Sequence, residues 1–112
     1  MMRITRGDLW LADYGQPTGR EQGGPRPMVV MSGRAVNDVR MGLVFTVPLT
    51  TTERGWPSHV EIAPGTGLEK QSWAMVEQFR AVSVQRLTRR IGWVEEPALA
   101  KMRVVLSHLI RA

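Results

Sequence analysis

The chain has 112 residues, 43% of them hydrophobic, no cysteine, and 15 Lys+Arg against 10 Asp+Glu for a formal net charge of +5. That length suits one domain spanning residues 1–112 around a single core, and the missing cysteines exclude disulfides, a thiolate nucleophile and a cysteine-ligated zinc site. With two histidines, His59 and His108, no run near the ~20 apolar residues of a membrane span and no secretory-signal core, the expectation is a soluble cytoplasmic protein with no metal, no cofactor and no membrane contact.

In chain order, 7–14 reads as a strand, and 15–25 as a loop whose glycines, Pro17 and Pro25 exclude regular structure. Residues 27–32 form a continuously apolar strand expected to be buried on both faces. A helical turn is expected over 34–40 and a third strand over 41–49. Glu53-Arg54-Gly55-Trp56-Pro57 has turn chemistry. Short strands are predicted over 59–62 and 72–80, separated by the turn Pro64-Gly65-Thr66-Gly67. From Glu95 the period changes: Leu99, Met102, Leu106, Leu109 and Ile110 recur on one helical face, with Pro97 in the first turn and Arg111 at the other end. Short strands followed by one terminal helix predict a small β-barrel with a helix packed on it.

Two segments carry chemistry. Gly19-Arg20-Glu21-Gln22-Gly23-Gly24-Pro25-Arg26-Pro27 puts a carboxylate and a guanidinium on a glycine-rich loop. Pro27 fixes its own φ and pushes Arg26 toward an extended conformation at the rim of a sheet. A positioned guanidinium suits bidentate contact with phosphate. The strand Val44 to Thr52 ends in three hydroxyls, Thr50, Thr51 and Thr52, which alternate in direction so that one or two face the same way as Arg26. Glu21, Arg26 and these threonines together make a candidate phosphodiester site. Thirteen of the fifteen cations are arginine, a bias that fits a nucleic-acid partner and equally fits codon usage.

The sequence resembles the MazF/PemK-type toxins, endoribonucleases of bacterial toxin–antitoxin modules. The likeness rests on Arg6-Gly7-Asp8-Leu9-Trp10, on the Glu21 to Pro27 loop, on Pro48-Leu49-Thr50-Thr51, on Pro57 to Ile62 and on Val76-Glu77-Gln78-Phe79-Arg80. It implies a mainly β fold with α, an SH3-like small barrel with a C-terminal helix. It also implies a homodimer, a MazE-like antitoxin and metal-independent cleavage of single-stranded mRNA to 2′,3′-cyclic phosphate and 5′-hydroxyl ends.

Under that resemblance Arg26 matches the family's acid–base arginine, although a pKa above ~12 makes proton abstraction near neutral pH difficult. Charge stabilisation suits it better, which leaves Glu21 as candidate base. Thr50 aligns with the threonine that contacts the scissile phosphate. Gln22, Thr51, Glu77 and Gln78 are candidate RNA contacts, and Tyr14 could stack on a base or equally be a strand-end aromatic. Glu77 and Gln78, adjacent in an expected strand, would point to opposite faces. His59 is read as structural, and Arg80, Arg86, Arg89 and Arg90 as a phosphate-binding cluster or a solvated face. Competing readings are a gyrase poison on a CcdB-like barrel, disfavoured because the chain lacks a tryptophan near Ala112, and a non-catalytic RNA-binding barrel.

Overall fold

The structure is a computed structural model that describes residues 3–16, 19, 23–38 and 41–111. Seven strands, β1 (Asp8–Asp13), β2 (Pro25–Val30), β3 (Leu43–Thr50), β4 (His59–Ile62), β5 (Ser72–Met75), β6 (Arg80–Ser83) and β7 (Leu87–Trp93), accompany a short helix α1 (Arg34–Asn37) and a terminal helix α2 (Glu96–Ile110). All pairings are antiparallel, in the order β4-β5-β3-β2-β1-β7, with β6 also paired to β3. The expected mainly β fold with a C-terminal helix is therefore present. The sheet curls like a small barrel without closing its hydrogen-bond ladder among the described residues.

Two prolines sit where the ladder tolerates them. β2 pairs with β3 only over Met28 to Val30, whereas Pro25 and Pro27 face β1 alone, so their missing N–H groups remove no bond from a doubly paired strand. β3 changes partner part-way: Leu43 to Thr46 pair with β6, and Leu49 and Thr50 with β5. Pro48 lies in the gap between those pairings, and the switch bends the sheet there. Near the far edge, Trp93 donates its N–H to Thr66 (3.0 Å). At that contact a Cβ on Gly92 would stand 1.7 Å from the Thr66 carbonyl oxygen, and one on Gly67 2.2 Å from that of Ile91, so both positions require glycine.

Alternation along the strands divides the interior in two. One cluster joins Leu9, Val29, Val47, Leu49, Val60, Ile62 and Ala74 to Leu99 and Met102 of α2. The other, on the opposite face of β1 and β2, comprises Trp10, Ala12, Tyr14, Met28, Val30, Val44, Val82 and Leu87. β2 is thus buried on both faces, as its apolar run predicts.

Three expectations change. The strand expected over 72–80 ends at Met75, gives way to a 3₁₀ turn at Val76–Gln78, and resumes as β6. The turn is held by Val76 N–H donating to the Ser58 carbonyl (3.2 Å). β7 was not expected, because Thr88, Arg89 and Arg90 break the apolar alternation and two bulges interrupt its register with β1. On α2 only Leu99 and Met102 are buried. Leu109 and Ile110 are exposed, so the apolar stripe outruns the surface that covers it. No described helix is long and apolar enough to cross a membrane.

Candidate active site

β2 carries Arg26 on the same face as Met28 and Val30. Its guanidinium is fixed from two sides: Nε donates to the Gly23 carbonyl (3.4 Å) and Nη1 to the Leu49 carbonyl (3.2 Å). The loop that precedes it is cinched at its base by Tyr14 N–H to the Gly24 carbonyl (3.0 Å) and Gly24 N–H to that of Gly15 (2.7 Å). Gly24 has a φ of +72° there, a conformation that favours glycine. Burial lowers the Arg26 pKa from the ordinary arginine value, nearby Tyr14 opposes the shift, and the charge of Arg54 adds to it.

Thr50 closes β3 one residue after the carbonyl that anchors Arg26. Its Oγ1 accepts from Thr52 N–H (3.1 Å), and the hydroxyl hydrogen remains able to donate to a phosphate oxygen. Thr51 and Thr52 follow on an exposed stretch. The structure therefore anchors Arg26 to the residue that precedes Thr50 at the end of β3. Glu21 and Gln22 lie outside the described residues.

Tyr14 takes the second of its two expected places, that of a strand-end aromatic. Instead of opening onto a base, it is 3% exposed, and stacking there would require an uncovered ring. Its hydroxyl and Thr46 Oγ1 share a 2.9 Å hydrogen bond, Thr46 Oγ1 donates to the Arg80 carbonyl (3.1 Å), and the Arg80 guanidinium lies 5.2 Å from the Tyr14 ring centroid. Burial dominates its titration, pushing the phenol up to about 12 against smaller opposing effects from Thr46, Arg80 and Arg26.

Glu77 lies in the 3₁₀ turn, not in a strand, so the opposite-face argument for Glu77 and Gln78 does not hold. Ser58 Oγ donates to its Oε1 (2.7 Å) and His59 Nε2 lies 2.9 Å from its Oε2. Burial alone would raise the Glu77 pKa, but the bonds from Ser58 and His59, the backbone bond within the turn and the charge of His59 together outweigh it and lower the value. The His59 side chain is 2% exposed, too enclosed to meet a substrate, and it serves to hold Glu77. Gln78 follows, half-buried.

Sequence reading missed Thr46 and the ring contacts of Arg54 and Arg80. Thr46 alone was detectable, as a hydroxyl at an otherwise apolar inward position of β3. Arg54 stacks 5.5 Å from the Trp56 centroid, and Trp56 in turn lies 5.0 Å from the His59 ring.

Residues 5–110 match the model of the PemK-like, MazF-like toxins of type II toxin–antitoxin systems. The chain belongs to that family. It is 33% identical over 108 residues to endoribonuclease EndoA of Bacillus subtilis, covering 95% of this chain and 93% of that one. MazF of Deinococcus radiodurans superposes with a TM-score of 0.88 at 26% identity over 98% of both chains. A MazE–MazF structure from the same organism gives 0.81 at 26% identity, covering 98% of this chain and 97% of that one. Membership and these relatives give the chain its activity class, that of an endoribonuclease toxin.

Proposed function

We propose that this toxin cleaves single-stranded RNA by transesterification without a metal ion. The substrate's 2′-oxygen attacks the adjacent phosphorus, the bond from phosphorus to the 5′-oxygen breaks, and the products are a 2′,3′-cyclic phosphate and a 5′-hydroxyl. The observation that carries the reading is the Arg26 guanidinium tied to the carbonyl of Leu49, the residue immediately before Thr50.

Arg26 faces the charge that develops on the phosphorane, and Thr50 donates to a non-bridging oxygen, contacts that count most in the transition state. Arg26 keeps its charge throughout, and the departing 5′-oxygen takes its proton from solvent. Glu21, five residues earlier in the chain, is assigned the 2′-hydroxyl proton on the chemistry of a carboxylate base. Gln22, Thr51, Glu77 and Gln78 are proposed RNA contacts.

The likeness to a MazE–MazF structure supports a MazE-like antitoxin as the partner that holds the toxin inactive, and the working form we propose is a cytoplasmic homodimer. An acidic, partly disordered antitoxin segment would suit a face rich in arginine. The reaction is tested by incubating the protein with a long RNA in excess EDTA and sequencing the 5′ ends of the fragments. Cutting in EDTA is expected. It should vanish when one 2′-hydroxyl at the cut position is replaced by hydrogen. Strict Mg²⁺ dependence, or cleavage of the 2′-deoxy substrate, would overturn the mechanism. Glu21→Gln should lower the single-turnover rate and alter its pH dependence, and a loss confined to binding would remove Glu21 from the base role.

A further inference from the structure

Two cations outside the Arg26–Thr50 pair are each held over an aromatic ring. Arg80 begins β6 directly opposite Thr46 and lies over Tyr14 (5.2 Å), whose hydroxyl is fixed by Thr46. Arg54 lies over Trp56 (5.5 Å) on the segment between β3 and β4. That segment is pinned by His59 N–H to the Trp56 carbonyl (3.0 Å) and by the ring contact of Trp56 with His59, which Glu77 fixes in turn. Neither guanidinium has a carboxylate partner among the recorded ion pairs of the described residues.

Their spacing matters. Thr46 and Thr50 point to the same side of β3 and are separated by about 13 Å, at ~3.3 Å per residue. Arg80 stands beside the first and Arg54 four residues beyond the second, with Arg26 between. The charges of Arg54 and Arg26 act on one another, and Tyr14 senses both Arg26 and Arg80. Holding a long side chain on a ring lowers the entropy lost when it grips a ligand, and cation–π contact leaves the N–H donors at the guanidinium edge available.

We propose that Arg80 and Arg54 are phosphate-binding residues that grip the RNA backbone on opposite sides of the scissile phosphate, positioned for it by Tyr14 and Trp56. This rests on the ribonuclease reading, but it assigns binding to residues with no part in the bond-breaking step.

The test uses a fluorescein-labelled oligoribonucleotide centred on the mapped cut, with a 2′-deoxy sugar at that position so that it binds without being cleaved. Its affinity is measured by anisotropy over a range of salt concentrations. Each phosphate contact in single strands contributes a slope of about −0.7 in log K against log[salt]. Arg80→Gln and Arg54→Gln should each flatten the slope by about 0.7 relative to wild type. On the cleavable RNA they should raise KM while leaving the saturating single-turnover rate near wild type. Arg80→Lys should keep the slope, and Arg111→Gln, at the end of α2, should leave it unchanged. Trp56→Leu should weaken binding and Trp56→Phe should restore most of it. Because Arg54 is on an exposed segment, Arg54→Gln tests the idea even where Arg80→Gln destabilises the strand. Wild-type slopes in both Gln variants, or an equal drop in Arg111→Gln, would overturn the inference alone. A wild-type protein that neither binds nor cuts RNA would remove the nuclease reading beneath it.

Discussion

The Arg26 guanidinium donates to the Leu49 carbonyl at 3.2 Å, so the cation is anchored to the residue immediately before Thr50. Two strands, β2 and β3, thereby share one functional unit, and a shift in either moves both groups.

Arg26→Ala and Thr50→Ala are each expected to lower the single-turnover cleavage rate about 10²-fold to 10³-fold, the cost of losing one donor aimed at developing charge. Arg26→Lys should recover little, since a point charge lacks the planar fork that reaches both phosphate and carbonyl. Quenched-flow cleavage of a labelled RNA, with circular dichroism to show intact folds, checks this. Near wild-type cleavage by Arg26→Ala would remove it from the site.

Tyr14 is the only tyrosine in the chain, so an ultraviolet titration of tyrosinate reads it alone. The folded protein should titrate near pH 12, against 10 for an open phenol. The raised folded value means that the neutral phenol stabilises the fold: this contribution is complete below pH 10 and is lost as pH rises through about 12. Tyr14→Phe keeps the ring under Arg80 and drops only the bond to Thr46, at a cost of about 0.5–1.5 kcal/mol by urea unfolding. An ordinary midpoint near 10 in the folded protein would contradict the burial of this side chain.

Glu77 works in the other direction. Its folded pKa lies below the ordinary 4.5 because the bonds from Ser58, His59 and the turn's backbone, with the charge of His59, together outweigh burial, so its ionised form stabilises the fold above pH 4.5 and that contribution disappears as pH falls through the lowered value. Urea midpoints measured between neutral and acidic pH should therefore fall less steeply in Glu77→Gln than in the parent. Parallel curves would show that the cluster of Ser58, His59 and Glu77 contributes nothing in solution.

Asp8 is the buried carboxylate of β1, accepting from Thr5 N–H (2.9 Å) and Trp10 Nε1 (3.3 Å) and pairing with Arg90 (3.1 Å). Asp8→Ala strands the two donors and should cost about 1–3 kcal/mol, seen as a lowered thermal midpoint. Arg90 is half-exposed and can rehydrate, so Arg90→Gln should cost clearly less. The reverse order would place the stabilisation in the ion pair instead.

Much of the frame could be read from local signals. The apolar run after Pro27 announced a strand buried on both faces, Glu95 to Pro97 announced the start of α2, and the places of Arg26 near the start of β2 and Thr50 at the end of β3 followed from a proline-fixed strand start and a threonine-ended strand. What escaped depended on contacts distant in sequence. Tyr14 is enclosed because Thr46 and Arg80, 32 and 66 residues away, converge on it. The turn at Glu77 forms because Ser58 supplies both a carbonyl and a hydroxyl across β4. β7 hides behind Arg89 and Arg90, whose outward side chains erase the alternation while bulges absorb the mismatch.

The seam where Gly67 meets Ile91 and Gly92 meets Thr66 also has a genetic side. A gene whose product arrests growth is easily put under selection for survivors of its induction. Among survivors with a single amino-acid change, those at Arg26 or Thr50 should accumulate as full-length, folded, inactive protein. Changes at Gly67 or Gly92 push a side chain into a carbonyl and should deplete the protein from the cell, some of them only at the upper end of the growth-temperature range. Sorting survivors by whether the polypeptide still accumulates would thus separate the chemistry of this toxin from its architecture without purifying a single variant.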